Sequence, residues 1–163
     1  MPYRTASRPD PLNSDQRQFN MSRIRGRNTG PEVTLRKALH ARGLRYRLHV
    51  SSLPGKPDLV FSGPNAVIFV NGCFWHGHDC PKGVMPKTNS SFWNDKIQRT
   101  KVRDSTAEAA LVDTGWRVLK VWECAIRGRA SLDISEVADE VATWVREGRS
   151  CDEIQGAWEE VQR

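Results

Sequence analysis

Two short apolar runs, Leu59–Phe61 and Ala66–Val70, lie on either side of the turn-forming residues Ser62-Gly63-Pro64-Asn65. This pattern predicts a β-hairpin with a short connection. Because neither run alternates with polar residues, both strands are expected in the centre of a sheet, where other elements cover them.

The rest of the sequence predicts helices and further strands around this hairpin. Proline and an acidic residue suit the first turn of a helix from Gly30-Pro31-Glu32, and Gly43 would end it. A strand that returns after a helix then indicates a mixed α/β sheet with helices packed on its faces. The further predicted elements are a strand over 44–50, a helix from Ser90 to about 113, a strand over Trp116–Trp122 and a helix from Asp133 to Gly148.

Charge is concentrated at the amino-terminal end of the chain. The 163 residues carry a formal net charge of +6, and residues 1–28 hold six arginines against two aspartates, which is +4. Such clustered cations either contact phosphates or form a solvated tail. We expect a flexible basic arm over 1–20, a folded domain over 21–148 and a tail without an assigned element over 149–163.

Hydropathy points to a soluble intracellular protein. No apolar run approaches the ~20 residues of a membrane-spanning helix, and the amino-terminal residues lack the apolar core of a signal peptide. In such a protein the four cysteines suit metal binding, catalysis or burial better than disulfides. The basic charge favours a polyanionic partner.

Metal-binding residue types are dense between positions 73 and 80. Cys73, His76, His78 and Cys80 lie in this loop, and Cys124 follows the last predicted strand. Three thiolates and one imidazole would form a tetrahedral zinc site that ties the loop to this distant strand. The spacing leaves open which three of the four loop residues are ligands, and the alternative is cysteines that are merely buried.

Asp58 follows a proline at the start of the first hairpin strand. Its carboxylate is either a turn residue or a Mg²⁺ ligand whose shell phosphate and water complete. The second hairpin strand ends at Val70 and Asn71, close in sequence to His76. An acid, a strand end and an imidazole would then converge at one sheet edge, an arrangement suited to phosphodiester cleavage.

Five segments of the chain form a distinctive set of motifs. They are NMSRIRGRNTGPE (20–32), SLPGKPD (52–58), VIFVNGCFWHGHDC (67–80), PKTNSSFW (86–93) and GWRVLKVWECAIRGR (115–129). In this order they resemble the very-short-patch repair (Vsr) family of DNA mismatch endonucleases, and the resemblance spans about residues 20 to 146. It implies a variant of the restriction-endonuclease fold and an enzyme that nicks duplex DNA 5′ to the T of a T:G mispair arising from 5-methylcytosine deamination.

The same resemblance implies catalytic Mg²⁺ and structural Zn²⁺. By position, Asp58 and the Val70 carbonyl match the Mg²⁺ ligands, and His76 matches the base that activates water. Glu32 matches a further acidic residue, which would orient His76 or a metal-bound water. The implied zinc ligands are Cys73, His78, Cys80 and Cys124.

The second hairpin strand departs from many restriction-type nucleases, which carry an acid and a lysine there. This chain has Phe69-Val70-Asn71 instead, and some Vsr family members have Thr-His in place of Val70-Asn71. Because an amide does not transfer protons at neutral pH, the rate or the division of roles is expected to change if that histidine is catalytic.

Aromatic residues Phe74, Trp75 and Trp93 lie in or beside the proposed metal-bound loop. They either pack together or form a wedge that enters the base stack beside a mismatch, where bases separate more easily. The resemblance implies the wedge and adds Met21 on the minor-groove side; Arg23 and Arg25 of the basic segment are expected to contact DNA. The expected substrate is double-stranded DNA with a T:G mismatch.

An asymmetric lesion suits a monomer. We expect this monomer in the cytoplasm at the nucleoid, with downstream mismatch-repair proteins as further partners. Other functions fit the residues as well: a catalytically silent zinc-containing DNA-binding module, a nuclease of RNA or matched duplexes, or a non-enzymatic interaction protein. Nicking of mismatched and matched duplexes separates these functions.

Overall fold

A computed structural model describes residues 27–148 and 151–158. The basic arm over 1–20 and the residues Met21, Arg23 and Arg25 lie outside this part of the chain. The strands are β1 (Arg47–Leu48), β2 (Leu59–Phe61), β3 (Ala66–Asn71), β4 (Arg117–Trp122) and β5 (Cys151–Ile154). The helices are α1 (Gly30–Ala41), α2 (Ser90–Asp113), α3 (Glu123–Ile126) and α4 (Ile134–Glu147), with a 3-10 turn at Pro81–Gly83.

The strands form one mixed sheet in which sequence order is also spatial order. β2 and β3 pair antiparallel as the predicted hairpin, with Phe61 opposite Ala66. β3 and β4 pair in parallel along their whole length, from Ala66 opposite Arg117 to Asn71 opposite Trp122. The predicted mixed sheet is therefore confirmed, and β3 and β4 end at the same edge.

Apolar clusters cover both faces of the sheet, as the unbroken apolar hairpin strands require. On one face Leu35 and Leu39 of α1 and Val137 of α4 pack against Ile68 and Leu119. On the other face Leu111 of α2 packs against Val60, Val67 and Val118. Each such side chain contributes roughly 1.5–3 kcal/mol by leaving water. None of the helices described is long and apolar enough to cross a membrane.

β1 is shorter than the strand predicted over 44–50. Leu44 is buried in the core and Tyr46 packs against it, as the alternation predicts, but Leu48 is 41% exposed. His49 then adopts a positive φ of 47°, which an extended strand does not accommodate. This bend ends β1.

The apolar residues Phe92, Ile97 and Leu111 are among the inward-facing candidates that the sequence offers for α2. Ile97 and Leu111 are buried, whereas Phe92, in the first turn, is 56% exposed. Phe92 contacts Trp93 with ring centroids 5.2 Å apart. This end of α2 therefore meets the aromatic loop rather than the sheet.

β5 is a strand that the sequence pattern did not indicate. It pairs in parallel with β4, from Val118 opposite Cys151 to Val121 opposite Ile154. Ile154 is buried, but acidic residues precede it. One apolar anchor in four residues is too weak a pattern to reveal a strand.

Candidate active site

The backbone around Asp58 fixes its carboxylate at the junction of three strands. The His49 N–H donates to the Asp58 carbonyl at 3.3 Å, which continues the β1–β2 pairing by one residue. The Val70 N–H of β3 donates to Asp58 Oδ2 at 2.7 Å. The side chain predicted to bind metal and the strand end predicted to lie beside it are therefore in direct contact.

The environment of Asp58 raises its pKa to about 7. Burial is the main cause, and the neighbouring Glu32 raises the pKa further. The hydrogen bond from the Val70 N–H and the electrostatic interaction with His76 lower this pKa and act in the opposite direction. Without a cation, this carboxyl group is thus partly protonated near neutral pH.

Glu32 is buried in the first turn of α1, whose amino-terminal cap is Thr29. Its Oε2 accepts the Asn28 N–H at 2.9 Å, and Arg36 Nη1 lies 3.3 Å from Oε1. His49 Nε2 lies 3.0 Å from the same Oε1. Glu32 therefore contacts His49, and the structure gives no direct contact between Glu32 and His76.

His49 links the two acidic residues, a contact that sequence reasoning missed. Its Nδ1 lies 3.7 Å from Asp58 Oδ1, on the side of the ring opposite the contact with Glu32. The sequence offers no signal for this contact, because His49 occupies an ordinary polar position of the predicted alternating strand. Its convergence with Glu32 depends on the packing of α1 beside β1.

His76 forms a hydrogen bond with Asp104, a second residue that sequence reasoning missed. His76 Nδ1 and Asp104 Oδ2 are 2.7 Å apart. The loop after β3 positions the imidazole, and the middle of α2 positions the carboxylate. An acidic residue among the basic residues of a helix gave no local signal for this pairing.

A cavity of about 560 Å³ brings these groups together at the sheet edge. Asp58, Val70 and His76 line it together with His49 and Asp104. The convergence predicted for an acid, a strand end and an imidazole is present in this geometry. A carboxylate and a hydrogen-bonded imidazole in one concave space could hold a divalent cation and move a proton.

The parallel pairing of β3 and β4 explains how distant cysteines meet. Asn71 is opposite Trp122, and Cys73 and Cys124 each follow two residues later. The cysteine cluster, as we call it, has its four ligand atoms within 4.8 Å of one another. Its members are Cys73, His78, Cys80 and Cys124.

The surroundings of the cysteine cluster orient its ligands. His78 Nδ1 lies 3.7 Å from Cys124 Sγ, while His78 Nε2 lies 2.9 Å from Gln155 Oε1. The His78 ring stacks on Trp122 with centroids 4.1 Å apart. The Gly156 N–H donates to Cys124 Sγ at 3.2 Å. The segment after β5 therefore packs against the cysteine cluster.

The donor set of this cluster fits a metal ion better than it fits free thiols. Burial raises the pKa of Cys73 to about 12, so its thiol is neutral without a cation. A thiol–imidazole cluster with an outer partner on the histidine is typical of structural zinc sites. Of the two loop histidines left open by the spacing, His78 joins the cysteines and His76 faces Asp104.

The three aromatic residues singled out from the sequence contact one another beside the cavity. Centroid distances are 5.0 Å for Phe74–Trp75, 5.2 Å for Phe74–Trp93 and 5.9 Å for Trp75–Trp93. Lys96 Nζ lies 5.5 Å from the centroids of both tryptophan rings. These rings are partly exposed, so both predicted roles, mutual packing and contact with bases, fit the same surface.

Comparisons with known proteins agree with this geometry. A family profile described as DNA mismatch endonuclease Vsr matches residues 9–82. The chain is 44% identical over 124 residues to the type II nicking enzyme V.XorIIP of Xanthomonas oryzae, covering 76% of this chain and 91% of the relative. It is 42% identical over 121 residues to the type II nicking enzyme V.NmeAIP of Neisseria meningitidis, covering 74% and 86%. It is 41% identical over 129 residues to the DNA mismatch endonuclease Vsr of Escherichia coli, covering 79% and 83%.

Proposed function

Because the chain belongs to the Vsr family of DNA mismatch endonucleases, we propose that it nicks mismatched duplex DNA. Its substrate is DNA with a T:G mispair arising from 5-methylcytosine deamination, cut 5′ to the T, and the nick initiates very-short-patch repair. The observation that carries this proposal is the meeting of Asp58, His76 and Asp104 in one cavity, with partly exposed aromatic rings in the same loop as His76.

Asp58 and the Val70 carbonyl are the proposed Mg²⁺ ligands. They offer hard oxygen atoms at one edge of the sheet, and the open cavity leaves room for phosphate oxygens and water. When bound, Mg²⁺ polarises the scissile phosphate and stabilises its developing negative charge. A divalent cation also favours the ionised form of Asp58, whose pKa is otherwise raised by burial.

His76 is the proposed general base. Asp104 holds Nδ1, which leaves Nε2 as the atom that takes a proton from the attacking water. The water oxygen forms a bond to phosphorus while the bond from phosphorus to the 3′ oxygen breaks. The leaving 3′ oxygen takes a proton from solvent water, which gives a 5′-phosphate and a 3′-hydroxyl. Asp104 is a positioning residue in this scheme, because it acts through His76.

The aromatic rings are proposed to read the lesion by stacking. Phe74, Trp75 and Trp93 present a partly exposed surface of edge-to-face rings, and Lys96 places a positive charge beside it. Insertion between bases costs less at a mispaired step than at a matched one. The amino-terminal segment is proposed to add further contacts with DNA through Met21, Arg23 and Arg25.

The structural ion of the cysteine cluster is proposed to be Zn²⁺, since three sulfur donors and one nitrogen suit it. We propose the restriction-endonuclease-like arrangement for the domain over 21–148, preceded by the basic arm over 1–20 and followed by the tail over 149–163. We also propose that the protein acts as a monomer in the cytoplasm, at the nucleoid, and that downstream repair proteins act after the nick.

A nicking assay on labelled T:G and matched duplexes tests this function directly. With Mg²⁺, the protein is expected to cut one strand of the T:G duplex, and Asp58→Ala is expected to lower the rate about 1,000-fold or more while DNA binding remains. Asp113→Ala, at the exposed far end of α2, is the matched control and should cut normally.

Each alternative function gives a different result in this assay. Equal cutting of matched DNA would remove the mismatch repair role. Binding without cutting by the unaltered protein would identify a DNA-binding module. If Asp58→Ala cuts as fast as the unaltered protein, Asp58 is not a ligand of the catalytic metal ion.

A further inference from the structure

Glu32, His49 and Asp58 form a second group of potential metal ligands, which we call the carboxylate–histidine cluster. One ligand atom from each residue lies within 4.8 Å of the other two. The three side chains come from α1, the end of β1 and the start of β2, so tertiary packing brings them together. The exposed fractions of the Glu32, His49 and Asp58 side chains are 2%, 16% and 15%.

The backbone of His49 is held in a conformation that aims its ring between the two acids. A positive φ of 47° at a residue other than glycine costs of the order of 1 kcal/mol. The hydrogen bond from the His49 N–H to the Asp58 carbonyl keeps this conformation in place. A strained residue that is fixed at the wall of a cleft indicates a role for its side chain.

Two buried carboxylates this close need positive charge when both are ionised. Arg36 reaches the Glu32 carboxylate at 3.3 Å, but on its Oε1 atom, which also faces His49. His49 is a basic neighbour of Asp58 at 3.7 Å, and His76 lines the same cavity. The cluster therefore combines two oxygen donors with one imidazole nitrogen beside an open cavity.

We propose that Glu32, His49 and Asp58 bind a divalent transition-metal ion, with a nitrogen of His49 as a direct ligand. An imidazole in the donor set favours Mn²⁺ or Co²⁺ over Mg²⁺, which prefers oxygen ligands and water. The inference rests on the proposed metal-binding role of Asp58, which the two cation positions share. It adds a second cation on the α1 side of the cavity, away from the Val70 carbonyl.

This arrangement predicts a preference for Mn²⁺ or Co²⁺ over Mg²⁺. The oxygen ligands of Asp58 and Val70 alone predict no such preference. Two cations that share a carboxylate can contact both sides of a phosphate. It also gives Glu32 and His49 a joint function, although Glu32 does not contact His76. His49 is then a metal ligand at the end of β1, two strands away from Asn71, the position that carries histidine in some Vsr family members.

The test measures Mn²⁺ binding to the full-length, zinc-loaded protein without DNA. Electron paramagnetic resonance follows free Mn²⁺ during a titration, and pulsed measurements detect coupling to histidine nitrogen in ¹⁵N-histidine-labelled protein. His49→Gln is expected to weaken Mn²⁺ binding about tenfold and to abolish the nitrogen coupling. Mg²⁺ affinity, measured by competition, is expected to change less than about twofold.

Two other histidine variants control for the remaining imidazoles near the surface and the cavity. His40→Gln, on the exposed side of α1, should leave affinity and coupling unchanged. His76→Gln should retain the nitrogen coupling, which would otherwise belong to the proposed base. Loss of coupling in His76→Gln instead of His49→Gln would overturn the inference.

Failure of this inference is distinguishable from failure of the proposed function. If the protein nicks T:G duplexes with Mg²⁺ but bound Mn²⁺ shows no histidine coupling, His49 is not a ligand and the function stands. If Mn²⁺ affinity is the same in His49→Gln and the unaltered protein, the second cation position is wrong. If coupling is present but no duplex is cut, the metal site stands without the nuclease.

Discussion

The cysteine cluster and the active-site cavity lie at the same edge of the sheet but are assembled differently. Three of the four cluster residues come from one loop, and the parallel β3–β4 pairing brings Cys124 to them. The cavity takes His49, Asp58, His76 and Asp104 from four separate elements or loops. The first site has a local sequence pattern, whereas the second depends on how helices and strands pack.

The two sites also differ in the way they respond to the absence of a cation. Cys73 has a pKa of about 12, so the thiol remains neutral and compatible with burial. Asp58 has a pKa of about 7, so its carboxyl group becomes charged within the physiological range. The metal-free cysteine cluster therefore loses a structural link, while the metal-free cavity holds unfavourable negative charge.

The largest expected effect is that of removing the proposed zinc ion from the cysteine cluster. Cys124→Ser is expected to lower the free energy of unfolding by about 5 kcal/mol or more, because the loop, β4 and the segment after β5 lose their common ligand. Urea unfolding followed by circular dichroism measures this change. Asp79→Asn, exposed in the same loop, should change it by less than about 0.5 kcal/mol.

Chelation followed by zinc addition provides the reversible form of this experiment. Amide exchange at Gly156 should accelerate on chelation and recover with zinc, since its N–H donates to Cys124 Sγ. Unchanged exchange and stability after complete metal removal would show that the two sites do not differ in the way described.

Removing the charge of Asp58 is expected to raise the free energy of unfolding of the protein that has no divalent cation in the cavity. This gain is smaller than the loss expected for Cys124→Ser. The pKa of Asp58 in the folded protein, about 7, exceeds its ordinary value of 3.8. The contribution of this group to stability is therefore fully present below pH 3.8 and is lost as the pH rises through 7. Glu32, His49 and His76 face this group. The loss is on the order of 4 kcal/mol at most.

Asp58→Asn removes this charge and keeps an acceptor for the Val70 N–H. The variant is therefore expected to be more stable than the unaltered protein at pH 8, with the difference shrinking towards pH 4. Urea denaturation of both proteins across this range, with zinc retained, measures the difference. Asp95→Asn, exposed on α2, should show no such trend, and a parallel trend in both variants would contradict the burial of Asp58 charge.

The sequence predicts most of the fold because its core strands are apolar and its helix ends are marked. The β2–β3 hairpin, the return of β4 after α2, and the Asp133 and Gly148 ends of α4 all follow from local chemistry. β5 could not be predicted, since its pairing depends on the exposed edge of β4 rather than on its own residues. The shortness of β1 follows from the bend at His49, which alternation does not encode.

The candidate site could be predicted where its residues are close in sequence or follow a strand. The cysteine cluster and the meeting of Asp58 with Val70 fall in this group. Asp104 and His49 do not, because each reaches its partner from a different element. Their roles follow from geometry, and the roles of Asp58, His76 and Glu32 in catalysis remain predictions.

Asp104→Asn is expected to slow nicking of T:G duplexes about 100-fold, with little change in DNA affinity. An amide in place of the carboxylate leaves the His76 ring less firmly oriented. The measurement is single-turnover cleavage with saturating enzyme, compared with Asp113→Asn at the exposed end of the same helix. If Asp104 acts through His76, the double variant with His76→Ala should be no slower than His76→Ala alone. Additive losses would assign Asp104 a separate role.

The smallest effect is expected at Gln155, which contacts a ligand of the cysteine cluster without being a ligand itself. Gln155→Leu removes the acceptor 2.9 Å from His78 Nε2 and is expected to weaken zinc binding about tenfold, which is 1.4 kcal/mol. Gln155→Glu keeps an acceptor and should retain the affinity. Competition with a chromogenic zinc chelator measures both variants. Because the same substitution leaves the cavity residues in place, cutting by zinc-saturated Gln155→Leu should remain normal; a defect that zinc does not repair would mean that the segment after β5 supports both sites.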